Sequence, residues 1–401
     1  MAVPTVSGEK SSRLLTAIRS AEPVAGYTHT FYRYPARFSP HFAREAIQAF
    51  SSPGDVVLDP FMGGGTSLVE AKALGRRGVG SDVSSLAVFL SKTKTAILTD
   101  SDRREIVQWA SSITLGPLNL RNPAIRDPEW IEAGYLRNIA SHSTWAIRKT
   151  VDLALGELAS LRDERHKMFA RCIILRTAQW ALDCRKAVPS ADRFRTQLLV
   201  FLNDMVSGSA AFERACKRWT NIDKIEELCL HQSSVTLGTT YQQIALPPPR
   251  LVLTSPPYPG VHVVYHRWQV LGRRETPAPF WIAGTKDGAG ASFYTFGDRH
   301  EQGLTTYFET AFDVFSGIAA ISDSKTIVAQ LLAFSDRRSQ LQRYLEVMRK
   351  AGFEEINAGE LDDIPGRTWR SVPNRKWYAS KLGKTAASSE VVLFHRLAQN
   401  K

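Results

Sequence analysis

Two patterns of hydrophobic and polar positions divide this 401-residue chain. In its first and last parts, short apolar runs bounded by glycine or proline predict buried strands, and helical spacing of apolar residues follows some of them. The predicted strands are Val56–Leu58, Gly78–Asp82, Leu251–Thr254, Lys325–Phe334 and Glu390–His395, and the accompanying helices are Thr66–Leu74, Val83–Lys92 and Ser339–Ala351. This order of elements indicates an α/β domain.

The middle of the chain has few strand-like alternations. Between about Ser101 and Ile222, apolar residues recur at helical spacing, most clearly in Met168–Leu182 and Phe194–Met205. We therefore predict a mainly helical insertion over residues 99–222, set into a discontinuous domain formed by residues 1–98 and 223–401. Because its charges are mixed, recognition of a partner and a structural or dimerisation role both stay open.

The apolar run Leu251–Thr254 ends in Ser255-Pro256-Pro257-Tyr258. Proline has no N–H to donate, so the strand must stop there and leave a polar side chain, free carbonyls and an aromatic ring at its end. The Ser255 hydroxyl and the Pro256 carbonyl can accept from an exocyclic amino group, and Tyr258 can stack on an extruded base. Taken alone, the tetrapeptide is equally compatible with a simple strand-ending turn.

A second motif, Asp59–Thr66, joins the first predicted strand to the first predicted helix through three glycines. Such a strand, glycine turn and helix form a cradle for a nucleotide-type ligand, and Thr66 and Ser67 are expected to open the helix. The glycines do not follow G-x-G-x-x-G, and no lysine follows them as in a phosphate loop. Nicotinamide and ATP are therefore disfavoured.

Asp82 ends the next predicted strand, roughly 20 residues after the glycines, where α/β folds hydrogen-bond a ribose diol. This position predicts a ribose contact. An N-cap for the helix Val83–Lys92 is a compatible alternative.

Together the two motifs resemble the class I S-adenosylmethionine-dependent amino-methyltransferases of DNA, particularly their N4-cytosine branch. The resemblance implies a Rossmann-like class I methyltransferase fold, with a seven-stranded, mostly parallel sheet whose last strand is reversed. It also implies S-adenosyl-L-methionine as cofactor, DNA as partner, and methylation at N4 of a flipped-out cytosine. Many such enzymes accompany a restriction endonuclease or serve host defence, and nothing in the chain chooses between these roles or fixes the oligomeric state.

In this family, the Ser-Pro-Pro-Tyr or Asp-Pro-Pro-Tyr loop performs catalysis, and a serine at its first position, here Ser255, is the usual marker of cytosine enzymes. An adenine-N6 DNA methyltransferase, an RNA methyltransferase and a non-catalytic nucleic-acid-binding subunit remain alternatives. In related enzymes, variable segments between the two motifs help to recognise the target, which gives the helical insertion a possible role.

The resemblance also assigns site residues. Tyr34, Arg37 and Phe38 match the N-terminal cofactor motif, while the third cofactor motif offers Gln232 and Ser233 in place of an acid. The cofactor-binding residues implied are Tyr34, Arg37, Phe38, Asp59, Pro60, Phe61, Gly63, Gly64, Gly65, Thr66, Asp82, Gln232 and Ser233. The catalytic residues implied are Ser255, Pro256, Pro257 and Tyr258.

Basic and aromatic residues are interleaved in two segments, Gly366–Lys384 and Val261–His300. Basic groups neutralise phosphates and aromatic rings stack or wedge, so both segments are candidate DNA contacts. The second segment, which also contains Trp268, Phe280 and Trp281, is expected to be a mobile loop over the extruded base. The predicted DNA-binding residues are Arg273, Arg274, Arg367, Arg370, Arg375, Lys376 and Trp377.

Composition agrees with this interpretation. Hydrophobic residues make up 43% of the chain and charged residues 22%, which is typical of a folded domain, and the net charge of +12 suits a polyanionic partner. Without an apolar leader or an 18-residue apolar run, we expect a soluble, cytoplasmic protein. The four widely spaced cysteines indicate free thiols, and His262 and His266 lack a third ligand, so no metal is expected.

Overall fold

Ten strands and thirteen α-helices are found in the part of the chain that the computed structural model describes. The described residues are 8–20, 22–34, 39–116, 120, 128–219, 227–259, 267–272, 274–286, 296, 301–356, 367–371 and 389–398. The strands are β1 Val56–Asp59, β2 Arg77–Asp82, β3 Leu228–His231, β4 Leu251–Thr254, β5 Trp268–Val270, β6 Arg274–Thr276, β7 Ile327–Leu332, β8 Phe353–Glu355, β9 Thr368–Ser371 and β10 Ser389–Leu397.

The helices divide between the sheet and a separate helical region. Those that precede or follow strands of the central sheet are α1 Gly8–Arg19, α2 Pro40–Phe50, α3 Thr66–Ala73, α4 Ser85–Thr95, α10 Leu237–Ile244, α12 Glu301–Ala319 and α13 Arg337–Lys350. The others are α5 Asp100–Leu115, α6 Glu129–Glu132, α7 Trp145–Gly156, α8 Glu164–Leu182, α9 Ala191–Cys216 and α11 Ala278–Ala283.

The central sheet runs β3-β2-β1-β4-β7-β10-β8, and β9 pairs with β10. Neighbouring strands from β3 to β7 are parallel, whereas β10 is antiparallel to β7 and to β8. The predicted α/β fold, with a mostly parallel sheet and a reversed last strand, is therefore confirmed. The short strand β9 makes eight strands where seven were expected.

Burial explains why these segments form strands. Every residue of β1, β4 and β7 is buried, as expected for parallel strands covered by helices on both faces. One face packs with α10, α12 and α13, and the other packs with α1 and α2. Both apolar clusters include side chains of β1, β4 and β7, so these strands form the rigid centre from which the loops at their carboxyl ends emerge.

The segment between β2 and β3 is helical. Its apolar residues form a cluster that also includes side chains of α4 and of Phe31, Tyr32 and Tyr34. Helix α8 is buried along most of its length and packs against α5, α7 and α9. The hairpin β5–β6 and α11 also join this core, with Trp268 2% exposed, Phe280 0% and Trp281 4%. The expectation that these three aromatic residues lie in a mobile loop over the base is therefore wrong. We call α5–α9, β5, β6 and α11 the helical lobe.

Among the described helices, none has the length and hydropathy needed to cross a lipid bilayer. Cys172, Cys184, Cys216 and Cys229 are all free thiols, as predicted.

Candidate active site

The two sequence motifs meet at the carboxyl edge of adjacent strands. Strand β1 pairs with β4 through Val57 and Leu58, so the glycine loop after β1 and the Ser-Pro-Pro-Tyr turn after β4 leave the sheet side by side. The Thr254 hydroxyl donates to the Asp59 carboxylate across a distance of 2.7 Å, although the residues are 195 apart in the chain. Ligands bind at this edge of open α/β sheets, so the geometry defines a candidate site.

Asp59 is the central acceptor of this junction. It is 1% exposed, and besides Thr254 it accepts from the Ser67 hydroxyl and, at 3.1 Å, from the Phe61 amide. Burial raises the pKa of Asp59 to about 6, an effect that these hydrogen bonds oppose. Thr66 and Ser67 were expected to open α3. Ser67 instead fixes the start of this helix through its hydrogen bond to Asp59, and neither residue is the N-cap. The N-cap is Gly65, at φ +74°.

The glycine loop is closely covered by Tyr34. A Cβ atom on Gly64 would lie 2.9 Å from the Tyr34 Cβ, and one on Gly65 would lie 2.7 Å from the Ser91 hydroxyl. Glycine is therefore required here by contacts with this chain's own side chains. The contact also brings Tyr34, from the predicted N-terminal cofactor motif, against the predicted cofactor loop.

Asp82 links the glycine loop to the end of β2. Its carboxylate accepts from the Gly63 amide at 2.9 Å and from the Ser84 amide at 2.8 Å. Burial raises the pKa of Asp82 to about 6. The N-cap of α4 is Ser84, so the alternative N-cap role of Asp82 is not observed.

Gln232 and Ser233 follow β3, the next strand along this edge. The backbone N–H of Gln232 donates to the backbone carbonyl of Asp82 at 3.1 Å, which holds the ends of β2 and β3 together. The Gln232 side-chain Oε1 accepts from Thr240, but its buried Nε2 has no hydrogen-bond partner among the described residues. Such an unsatisfied donor is costly unless a ligand accepts from it. Ser233 is exposed, and its hydroxyl caps the following turn.

Lys94 is a buried charge that the sequence motifs did not identify. It lies on α4, is 1% exposed, and its Nζ donates to the Gly64 carbonyl at 2.8 Å. A lysine in the polar last turn of a helix, beside Thr93 and Thr95, gives no local signal of such a contact. It brings a positive charge to the glycine loop.

The Ser-Pro-Pro-Tyr turn forms a hydrogen-bonded chain with the last strand. The Ser255 hydroxyl donates to the Tyr258 hydroxyl at 3.1 Å, and Tyr258 donates to Glu390 Oε1 at 2.7 Å. Arg370 donates to Glu390 Oε2 through Nε at 2.9 Å and Nη2 at 2.7 Å. Glu390 was not predicted from the sequence.

Aromatic side chains hold the turn from the other side. The Tyr307 hydroxyl donates to the Pro257 carbonyl at 2.7 Å, and the Tyr307 ring lies 5.7 Å from that of Phe296. Phe296 in turn lies 5.3 Å from Phe61 of the glycine loop.

The predicted DNA contacts are distributed differently from the expectation. Arg370 is buried in its ion pair with Glu390, with side chains 6% and 8% exposed, which corrects its assignment as a surface contact. Arg367 also forms an ion pair, with Glu355, and Arg274 is exposed. Several residues singled out in the sequence lie outside the described part of the chain: Arg37, Phe38, His262, His266, Arg273, Arg375, Lys376 and Trp377.

A basic surface on the helical lobe was not predicted. We call it the Trp180 surface, and it consists of Trp180 and the exposed residues Arg33, Arg185, Lys186, Arg193 and Arg274. The guanidinium groups of Arg185 and Arg193 lie 5.4 and 5.9 Å from the Trp180 ring centroid. Arg185 forms an isolated β-bridge with Val270, and Val270 pairs with Arg274 in the β5–β6 hairpin. The backbone amide of Arg33 donates a hydrogen bond to the side chain of Gln179, the residue before Trp180. Because Arg33 precedes Tyr34, this surface adjoins the glycine loop.

One cluster of ionisable groups has the spacing of a metal site. A ligand atom from each of Asp102, Asp163 and His166 lies within 4.8 Å of the others. Arg165 Nη2 lies 2.6 Å from Asp163 and 3.7 Å from Asp102, and Asp102 also forms the capping box of α5 with Thr99. Ion pairing and helix capping therefore account for this cluster.

Comparison with known proteins gives partial matches. Residues 7–92 match the family described as DNA methylase. The type II methyltransferase M.MvaI of Kocuria varians is 39% identical over 77 residues, which are 18% of this chain and 17% of that protein. The type II methyltransferase M.HinfI of Haemophilus influenzae is 36% identical over 93 residues, covering 23% of this chain and 24% of its own length.

A solved structure, TrmN from Thermus thermophilus, aligns with 97% of this chain and 53% of its own, at 12% identity and a TM-score of 0.31. This chain spans less than half the length of the curated relatives it matches, and about a quarter or less of these two. The matched part of this chain contains Tyr34, the glycine loop and Asp82. Residues 7–92 are therefore similar to the DNA methylases.

Proposed function

We propose that this protein transfers a methyl group from S-adenosyl-L-methionine to the exocyclic amino group of a base in DNA, with N4 of cytosine as the favoured acceptor. The observation that carries the proposal is the hydrogen bond between Thr254 and Asp59, which joins the glycine loop to the Ser-Pro-Pro-Tyr turn at one sheet edge. The similarity of residues 7–92 to DNA methylases supports the cofactor half of this site.

The residues at this edge fit the chemical parts of the cofactor. Asp82 can accept from the ribose hydroxyls, and the buried Gln232 Nε2 can donate to a ring nitrogen of adenine. Lys94 and the first amides of α3 supply positive potential for the methionine carboxylate. When bound, S-adenosyl-L-methionine supplies a methyl group activated by its sulfonium.

The residues after β4 would act on the base. An exocyclic amino nitrogen is a poor nucleophile because its lone pair is conjugated into the ring. Ser255 and the Pro256 carbonyl can accept its N–H groups and orient the lone pair, while Tyr258 stacks on the extruded base. Holding the amino nitrogen in line with the methyl group would supply much of the rate acceleration.

Serine at the head of this turn favours cytosine, and an adenine-N6 enzyme of the same architecture is the second candidate. We assign contact with the DNA backbone to the Trp180 surface and to the basic segment Gly366–Lys384, which includes Arg375 and Lys376. In this proposal the helical lobe, set between the two motifs, contributes to target recognition. A cognate restriction endonuclease or another defence protein would be its functional partner.

The test is to identify the methylated base. Duplex DNA of mixed sequence is incubated with the protein and S-adenosyl-L-methionine, digested to nucleosides and separated by mass spectrometry, with structured RNA as a parallel substrate. We expect N4-methylcytosine in DNA. N6-methyladenine would select the second candidate, methylation of RNA alone would replace the DNA assignment, and no methyl transfer to either would contradict the proposal.

A further inference from the structure

The hydrogen-bonded chain behind Ser255 ends in a buried carboxylate. Glu390 is 6% exposed and accepts from Tyr258, which in turn accepts from Ser255. We propose that Glu390 is a positioning residue that supplies, through Tyr258, the negative charge that a serine at the head of the catalytic turn lacks. This inference rests on the proposed function and adds a residue from the last strand to its site.

The direction of the hydrogen bonds carries the first step. An ionised carboxylate can only accept, so the Tyr258 hydroxyl must donate its single proton to Glu390. The Tyr258 oxygen is then free to accept from Ser255. With its own proton committed to Tyr258, the Ser255 oxygen has its lone pairs left, and these can accept an N–H of the substrate.

Arg370 carries the second step. It lies opposite Glu390 in the register between β9 and β10, and both of its donors bind Oε2, which leaves Oε1 for Tyr258. This cross-strand pair fixes the carboxylate rotamer and supplies its countercharge. Because the pair is buried, the local dielectric is low and successive hydrogen bonds polarise one another, so Ser255 becomes a stronger acceptor.

The hydrogen bonds from Ser255 through Tyr258 to Glu390 also provide a path for the proton that methylation releases. When the new N–C bond forms, the methyl–sulfur bond breaks, its electron pair stays on sulfur, and the amino nitrogen carries one surplus proton. That proton can pass to Ser255 as Ser255 passes its own to Tyr258 and Tyr258 passes its own to Glu390. The carboxylate gains one proton and returns it to water when the product leaves, so no further reactant is needed.

The experiment compares single-turnover methyl transfer by full-length wild type, Glu390→Gln, Tyr258→Phe and the double variant, with DNA and S-adenosyl-L-methionine saturating. Glu354→Gln is the matched control, because it breaks the Arg396–Glu354 ion pair, with a distance of 2.6 Å, which lies outside this series of hydrogen bonds. We expect Glu390→Gln to lower the rate roughly tenfold to a hundredfold, the effect of losing one charged hydrogen bond, with affinities for DNA and cofactor unchanged. Glu354→Gln should retain the wild-type rate.

The double variant separates this role from simple structural support. If Glu390 acts through Tyr258, Tyr258→Phe keeps the ring but loses the same effect, and adding Glu390→Gln should cause little further loss. A wild-type rate in Glu390→Gln, or losses that multiply fully in the double variant, would overturn the inference. If Glu390→Gln does not fold, a wild-type rate in Tyr258→Phe has the same meaning. Absence of methyl transfer by the wild type would contradict the proposed function instead.

Discussion

Two carboxylates define the electrostatics of the candidate site. Asp59 and Asp82 end the neighbouring strands β1 and β2, and burial raises the pKa of each to about 6. The charge of Asp82 further raises the pKa of Asp59. Removing two carboxylates from water at one sheet edge is unfavourable, and a bound cation is the natural compensation. The sulfonium cofactor carries such a charge, so its binding should depend on the ionisation of these residues.

We therefore predict that cofactor affinity falls as the pH is lowered through about 6, where Asp82 becomes protonated. A cation binds the ionised form better, so binding lowers the pKa and the dissociation constant should rise by up to about tenfold per pH unit for one linked proton. Calorimetric titration with S-adenosyl-L-methionine across this range measures the effect. Asp82→Asn should bind more weakly with a flatter pH profile, and a wild-type affinity that does not change with pH would refute the linkage.

At the scale of single residues, the sequence motifs selected segments that the structure brings together at one sheet edge. The glycine loop, Asp82 and the Ser-Pro-Pro-Tyr turn could be recognised because neighbours in sequence act together. Glu390 could not, because it meets Tyr258 132 residues away, through strand pairing. Arg370 was misassigned because a buried ion pair and a phosphate contact need the same residue type and differ only in the partner.

At the scale of elements, the packing of α10 against α12 sets the position of the segment after β3. The two helices cross at Gly238 and Gly317, where a Cβ on Gly238 would lie 2.5 Å from the Gly317 carbonyl oxygen. A backbone atom cannot move aside as a flexible side chain can. A Cβ on Gly317, in contrast, would have its nearest neighbours at 3.8 Å.

These contacts predict opposite results for two similar substitutions. Gly238→Ala should lower the free energy of unfolding by about 1–3 kcal/mol, because it forces the helices apart. Gly317→Ala should leave it unchanged or raise it by up to about 1 kcal/mol, since alanine favours a helix over glycine. Urea unfolding of both variants measures the difference, and equal stability of the two would show that the crossing is not as close as described.

The sheet elements could be predicted because parallel strands are buried on both faces and therefore read as continuous apolar runs. The region that contains β5, β6 and α11 could not, since glycines and prolines around it suggested a loop. Its aromatic residues Trp268, Phe280 and Trp281 are explained by burial in the helical lobe. The sequence could not reveal that they pack against α8, which is far away in the chain.

At the scale of the whole molecule, the net charge of +12 becomes informative only when its location is known. The basic residues of the Trp180 surface come from three separate parts of the chain, so the mixed charges within the helical insertion gave no sign of it. It adjoins Tyr34 and hence the glycine loop. Under the proposed function, this surface would hold the DNA backbone beside the extruded base.

The salt dependence of DNA binding tests this assignment. Replacing Arg185, Arg193 and Arg274 together by alanine should weaken binding and reduce the slope of log affinity against log salt by roughly 0.9 for each phosphate that is no longer neutralised. The control removes the same charge from α13 by replacing the exposed residues Arg338, Arg349 and Lys350. A slope equal to wild type in the first variant, or an equal decrease in both, would exclude the Trp180 surface as the contact.

The central claim is that two loops at one site have different roles. The glycine loop binds S-adenosyl-L-methionine, and the turn after β4 activates the amino group of the base. The most direct measurement is cofactor affinity and single-turnover methyl transfer, both determined for wild type and Ser255→Ala. We predict that Ser255→Ala binds S-adenosyl-L-methionine as wild type does and transfers the methyl group much more slowly. Undiminished transfer by Ser255→Ala would contradict the account.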